Sequence, residues 1–198
     1  FGTLEALYPG RIDLGLGRAP GTDGLTMRAL RRDRVESEAD FPREVAELQA
    51  FLGPAQPGQR VIAMPGQNSN VPIWLLGSSL FSARLAAQRG LPFAFASHFA
   101  PRLLLQALEV YRSEFQPSAV LARPYAAIGV PMIAAPTDDE AEYLASSTYQ
   151  RVLGILTGRR GQLPPPVTDF VASLAPHERQ GIADFLAAAV IGSPDTVR

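Results

Sequence analysis

Pro72-Ile73-Trp74-Leu75-Leu76-Gly77-Ser78-Ser79-Leu80-Phe81-Ser82 is an apolar run that passes, over three small residues, into a helical pattern reaching Arg89. A strand that turns so abruptly into a helix leaves backbone N–H groups without partners at the helix start, where the helix dipole adds partial positive charge. Such a junction suits a phosphate or another anion. Ser79 and Ser82 lie three apart, which brings both hydroxyls to the same mouth. The same residues also read as an ordinary capping arrangement, with Ser79 as N-cap and Ser82 as its weak partner.

Working outward, the strand-then-helix pattern repeats. Arg11-Ile12-Asp13-Leu14-Gly15-Leu16 reads as a strand after the turn Tyr8-Pro9-Gly10, and a helical pattern runs from about Asp40 to Leu52, stopped by Gly53-Pro54. Arg60 to Met64 reads as a short extra strand. The helix after the serine turn closes at Gly90. Phe93-Ala94-Phe95-Ala96-Ser97 is a third strand, followed by a helix from Pro101 to Phe115. Tyr125 to Ala134 is a fourth, with Gly129 and Pro131 marking a bulge or an edge. Its helix starts at the capping sequence Thr137-Asp138-Asp139-Glu140 and runs to about Thr157. A loop rich in Gly, Arg and Pro covers Gly158 to Val167, and a further helix is expected from Pro176 to Val190.

Continuous apolar strands alternating with helices predict a parallel sheet covered by helices. Two architectures follow, an open doubly wound sheet and a (β/α)₈ barrel, and in both the ligand sits at the carboxyl ends of the strands. Gly17-Arg18, Gly77 to Ser82 and Ser97-His98 all fall there. Gly2 to Leu7 reads as the tail of a helix and Gly192 to Arg198 as a fresh helix start. Four units cut at both ends fit a barrel segment better than a small open sheet, so the expectation is one domain over residues 1–198.

Composition narrows the chemistry. The 198 residues are 46% hydrophobic with a formal net charge of −1, which describes a packed chain without a bulk pull toward nucleic acid or membrane. All 18 basic residues are arginine, so no lysine nucleophile or Schiff base arises within this chain. The chain has no cysteine, which excludes disulfides, thiolate nucleophiles and thiolate metal ligands and fits a cytoplasmic setting. With two histidines, His98 and His177, no metal site is expected.

Arg18 follows Gly15-Leu16-Gly17, whose glycines permit close approach of a ligand that a guanidinium can fork onto. An ion pair with Asp23 is the plain alternative. Gly15-Leu16-Gly17 lacks the third glycine of a dinucleotide fingerprint. His98 could orient substrate, hydrogen-bond a cofactor ring or move a proton, or could simply satisfy loop carbonyls. Asp138, Asp139, Glu140 and Glu142 fit the first turn of a helix, and dipole complementarity accounts for them. Trp74 and Phe81, near the serine turn, could pack on a ring system, with barrel core as the default.

Residues 8–23, Tyr-Pro-Gly-Arg-Ile-Asp-Leu-Gly-Leu-Gly-Arg-Ala-Pro-Gly-Thr-Asp, resemble the signature of the bacterial luciferase-like flavin-dependent monooxygenases. So do residues 71–83 with their continuation to Pro92, Ala96-Ser97-His98-Phe99, and Gly192 to Val197. The resemblance implies a (β/α)₈ TIM barrel, lacking here the first three strands and the last. It implies an oxidoreductase, a monooxygenase that uses reduced FMN, usually supplied by a separate flavin reductase, and dioxygen on a small organic substrate such as an aldehyde. Some relatives use a deazaflavin instead. On this reading Arg18, Ser79 and Ser82 hold the flavin phosphate, and Gly77 and Ser78 shape the approach. His98 falls near the expected flavin ring, and no catalytic base carries over. Relatives form homo-oligomers, and this segment alone is expected to associate or to be poorly soluble. The alternatives are a flavin-binding protein without catalysis and a barrel that binds a phosphorylated metabolite.

Overall fold

The computed structural model describes residues 1–18, 26, 29, 34–159 and 161–198. They form two compact units, one of Phe1–Phe95 with Leu105–Ala127 and one of Ala96–Leu104 with Ile128–Arg198.

The first unit begins with helix α1 (Gly2–Leu7) and strand β1 (Leu14–Gly17). Helix α2 (Arg34–Leu52), strand β2 (Ile73–Gly77), helix α3 (Leu80–Arg89), strand β3 (Phe93–Phe95) and helix α4 (Leu104–Ser113) follow. Strand β4 (Ala126–Ile128) completes a four-stranded sheet of order β1-β2-β3-β4. β1 and β2 run parallel, with Leu14 opposite Ile73 and Gly17 opposite Leu76, and Leu75 of β2 lies opposite Phe93 of β3.

Alternation divides the sheet into two faces. Leu14, Ile73, Leu75, Phe93 and Phe95 are buried. Phe93 packs on Tyr111 of α4 at 5.3 Å between ring centroids, which identifies this as the helix-covered face. Gly15, Gly17, Trp74, Leu76 and Ala94 occupy the other face. Tyr111 is fully buried, and its hydroxyl donates to the Leu91 carbonyl at 2.8 Å while accepting from the Tyr125 N–H at 3.1 Å. That one phenol ties α4 to both flanks of β3.

α3 has the bounds read from the sequence, and Gly90 closes it in the left-handed conformation (φ 59°) that glycine adopts at least cost. α2 starts earlier than expected, at Arg34, and carries Pro42 inside it. Arg60 to Met64 form no strand, contrary to expectation. Local partners take the backbone there, with Gln59 Nε2 donating to the Val61 carbonyl and Gln67 N–H to that of Ala63. Val61 and Ile62 stay exposed, and no strand among the described residues lies beside them.

The second unit contains strand β5 (Met132–Ala134), helix α5 (Asp138–Leu156), helix α6 (Pro176–Phe185) and strand β6 (Val190–Gly192). β5 and β6 pair in parallel, Met132 opposite Val190. Two expectations are corrected here. Tyr125 to Ala134 is not one strand: β4 and β5 belong to separate sheets, broken where Pro131 has no N–H to give. At the break, fully buried Ser97 donates its hydroxyl to the Gly129 carbonyl at 2.6 Å. The last helix also stops at Phe185 rather than Val190, because the β-branched pair Val190-Ile191 finds β5 as a partner. Gly192 to Val197 form a strand end and a turn, with Val197 N–H donating to the Ser193 carbonyl.

Tyr149, Val152, Leu174 and Ile182 make the core of this unit, packed by Ile133, Phe170 and Ile191. No described helix is long and apolar enough to cross a membrane.

Candidate functional site

β2 ends and α3 begins within three residues, so the direction of the strand sets the direction of the helix start. Ser79 takes the N-cap position with extended backbone (φ −135°, ψ 162°), as capping requires. Its hydroxyl nevertheless accepts no hydrogen bond from the helix. Its nearest hydroxyl neighbour is Ser82 Oγ at 3.5 Å, the long limit of hydrogen bonding. Ser82 is 6% exposed and spends its proton backward, donating to the Ser79 carbonyl at 2.8 Å. No acidic residue stands in the first turn. The helix start therefore presents its N–H groups and dipole without cancelling either from within.

Gly77 is a steric requirement of this turn. A Cβ placed there would collide with Cβ and Oγ of Ser82. The Ser82 side chain occupies the place that any other residue at position 77 would claim.

Arg18, immediately beyond β1, reaches the same helix. Its guanidinium carbon lies 4.4 Å from the centroid of the Phe81 ring, and Phe81 is the second residue of α3. The alternative partner Asp23 lies outside the described residues. Phe81 is 37% exposed and departs from its default reading as core. The Trp74 ring meets that of Tyr125 at a tilt of 57°, with centroids 5.3 Å apart. The sequence offered Phe81 only as a residue that could pack on a ring system, and its contact with Arg18 was not foreseen. The available signal was its place in the first turn of a helix whose mouth expects an anion.

The structure thus brings Arg18 together with the turn formed by Gly77, Ser78, Ser79 and Ser82. His98 belongs to the second unit, half-buried in the turn after β3, with its ring 4.2 Å from that of Phe99. The strongly perturbed Tyr149 is also in the second unit. Burial first, then the Glu142 carboxylate that accepts its hydroxyl at 2.8 Å, pushes its pKa well above the ordinary range and keeps it a donor.

Parallel strands followed by helices, with polar residues gathered at a strand's carboxyl end, define an α/β protein. The crystal structure of apo-MsnO8 superposes with a TM-score of 0.84 at 34% identity, covering 100% of this chain and 60% of that one. A coenzyme F420 dependent tetrahydromethanopterin reductase from Methanopyrus kandleri shares the fold at TM-score 0.59 and 17% identity, covering 99% of this chain and 65% of that one. The fold is the luciferase-like (β/α)₈ barrel, of which the described strands account for a part.

A family model for luciferase-like monooxygenase matches residues 1–198, and the chain belongs to that family. It is 50% identical over 198 residues to a luciferase-like monooxygenase of Escherichia coli (strain K12). It is 53% identical over 199 residues to YvbT, an uncharacterized protein of Bacillus subtilis (strain 168). Each match covers 100% of this chain and 59% of the relative, so the chain spans well under two thirds of these curated relatives.

Proposed function

We propose that this chain supplies the phosphate anchor of a flavin-dependent monooxygenase that uses reduced FMN and dioxygen on a small organic substrate. One observation carries the reading. The α3 start is capped in backbone geometry but not by its own side chain, and Arg18 is held against its first turn. Backbone N–H groups, a serine hydroxyl and a guanidinium are the donor set that suits a terminal phosphate.

In this arrangement the N–H groups at the start of α3 and the Ser79 hydroxyl donate to the phosphate oxygens, and Arg18 adds a charge-assisted bond. Ser82 fixes the turn by holding the Ser79 carbonyl, so its part is to keep the cradle in shape. Gly77 leaves Ser82 the room to do this. Reduced flavin bound by this anchor would supply the activation of dioxygen at its ring end. Supply of the reduced cofactor by a separate reductase accords with a site that tethers one end of it.

The test compares FMN with riboflavin on the full-length protein under reducing conditions, by calorimetry. FMN should bind at least about tenfold more tightly, and Arg18→Ala should remove most of that difference. Equal affinity for the two flavins contradicts the anchor. Flavin binding without substrate-dependent oxygen uptake favours a non-catalytic flavin carrier. Binding of inorganic phosphate without any flavin favours a phosphorylated metabolite.

A further inference from the structure

We propose that the cleft between α5 and α6 binds a small zwitterion with an apolar side chain, of the chemical class of a free aliphatic amino acid. The cleft lies wholly in the second unit and shares no residue with the phosphate anchor. Helical spacing builds it. Arg179, Ile182, Ala183 and Leu186 recur at the three- and four-residue intervals that put side chains on one face of α6 and its C-cap. Glu142 and Tyr149, two turns apart on α5, line the same cavity, and Ile191 contributes from β6. The cavity measures about 340 Å³, at the small end of the range in which ligands are held.

Two opposite charges line this cavity without meeting. Among the described residues Arg179 has no carboxylate at ion-pairing distance, whereas Asp184 of the same helix is paired with Arg102. The Glu142 carboxylate is oriented by Tyr149, which is 8% exposed and donates its hydroxyl to Oε2 at 2.8 Å, so Oε1 is left as an acceptor. The remaining wall is apolar: Leu174 and Ile182 belong to the core of the unit, and Leu186 and Ile191 pack against it. A ligand with one charge would meet one of the pair and leave the other beside an apolar surface without a partner. A zwitterion answers both. The guanidinium forks onto its carboxylate, the Glu142 carboxylate accepts from its ammonium, and an aliphatic side chain packs on Leu186 and Ile191. The bond from Tyr149 holds the Glu142 carboxylate in place before the ligand arrives, which reduces the ordering cost of binding.

The experiment titrates the full-length protein by calorimetry with L-leucine, with isocaproate, which lacks the ammonium, and with isoamylamine, which lacks the carboxylate. Wild type should bind L-leucine at least about tenfold more tightly than either analogue. Arg179→Met and Glu142→Gln should each weaken L-leucine by about tenfold or more. Glu142→Gln removes the charge and keeps an acceptor for the Tyr149 hydroxyl, and Arg179 is exposed, so both variants should melt close to wild type and bind FMN as wild type does. Arg179→Met should leave isoamylamine binding unchanged, and Glu142→Gln should leave isocaproate binding unchanged, because each analogue lacks the charge that the altered residue would meet. If L-leucine at about 10 mM gives neither heat nor a shift in melting temperature, the inference fails. If L-leucine binds and neither variant weakens it, it binds elsewhere and the inference fails. If isocaproate binds as tightly as L-leucine, the cleft takes a carboxylate alone and the assignment to a zwitterion is overturned.

Discussion

Among the described residues, two helices start directly after a parallel strand, and they treat their first turns in opposite ways. α5 is closed by its own residues: Thr137 Oγ1 accepts the Glu140 N–H at 3.2 Å, and Asp138, Asp139 and Glu140 place acidic charge on the dipole. The Asp138 carboxylate is further engaged by the Ser193 N–H at 2.6 Å and the Thr196 hydroxyl at 2.8 Å. α3 has the same strand-turn-helix entry and an N-cap serine, but no internal acceptor for its N–H groups and no acid in the first turn. A helix start that the chain does not saturate is left available to an anion. The dipole is common to both, and capping chemistry makes the difference.

The largest effect expected from disturbing this contrast comes from Gly77. Gly77→Val would force its Cβ into Ser82 and displace the turn. Urea unfolding of the full-length protein should show a loss of about 1–3 kcal/mol, and FMN affinity should fall by at least about a hundredfold as the cradle opens. Next is a crossed pair. Thr137→Ala should cost about 1 kcal/mol of stability and leave FMN affinity alone. Ser79→Ala should leave stability within about 0.5 kcal/mol and weaken FMN about three- to tenfold. If both cost stability and neither affects FMN, the two helix starts are equivalent and the contrast dissolves.

The smallest effect concerns pH. Hydrogen bonds, first from the Ser193 N–H and then from the hydroxyls of Thr196 and Ser193, hold the Asp138 carboxyl below its ordinary value. A depressed folded-state pKa means that the contribution is present above the unfolded value near 3.8 and is lost as pH falls through the folded value. Asp138→Asn should therefore flatten the acid limb of the stability curve below about pH 4. A variant with an unchanged acid limb would remove Asp138 from this account.

Much of this was legible where the determining forces are local. The span Leu80 to Arg89, its glycine stop and the cap at Thr137 could all be read from neighbours within one helical turn. Where a distant segment decides, the sequence misleads. Val190 and Ile191 follow an alanine-rich stretch with helical pattern, and only their pairing with Met132 and Ile133 makes them a strand. Val61 and Ile62 have β-branched side chains but no partner strand among the described residues, and they stay outside the sheets. The site shows the same division. The serine turn is a local motif, Arg18 was a candidate from the glycines before it, and the family resemblance supplied the expectation that the two act together. The contact of Arg18 with Phe81 depends on β1 lying beside β2, which residue spacing alone does not reveal.

The central claim is that α3 keeps its helix start free for a phosphate, and Ser79→Asp in the full-length protein tests it most directly. An aspartate at this N-cap would give α3 the kind of closure that α5 already has. The melting temperature and the affinity for FMN should then move in opposite directions: stability up by about 0.5–1 kcal/mol, and FMN binding down by at least about a hundredfold, with riboflavin binding little changed. An aspartate variant that binds FMN as tightly as wild type would contradict the account.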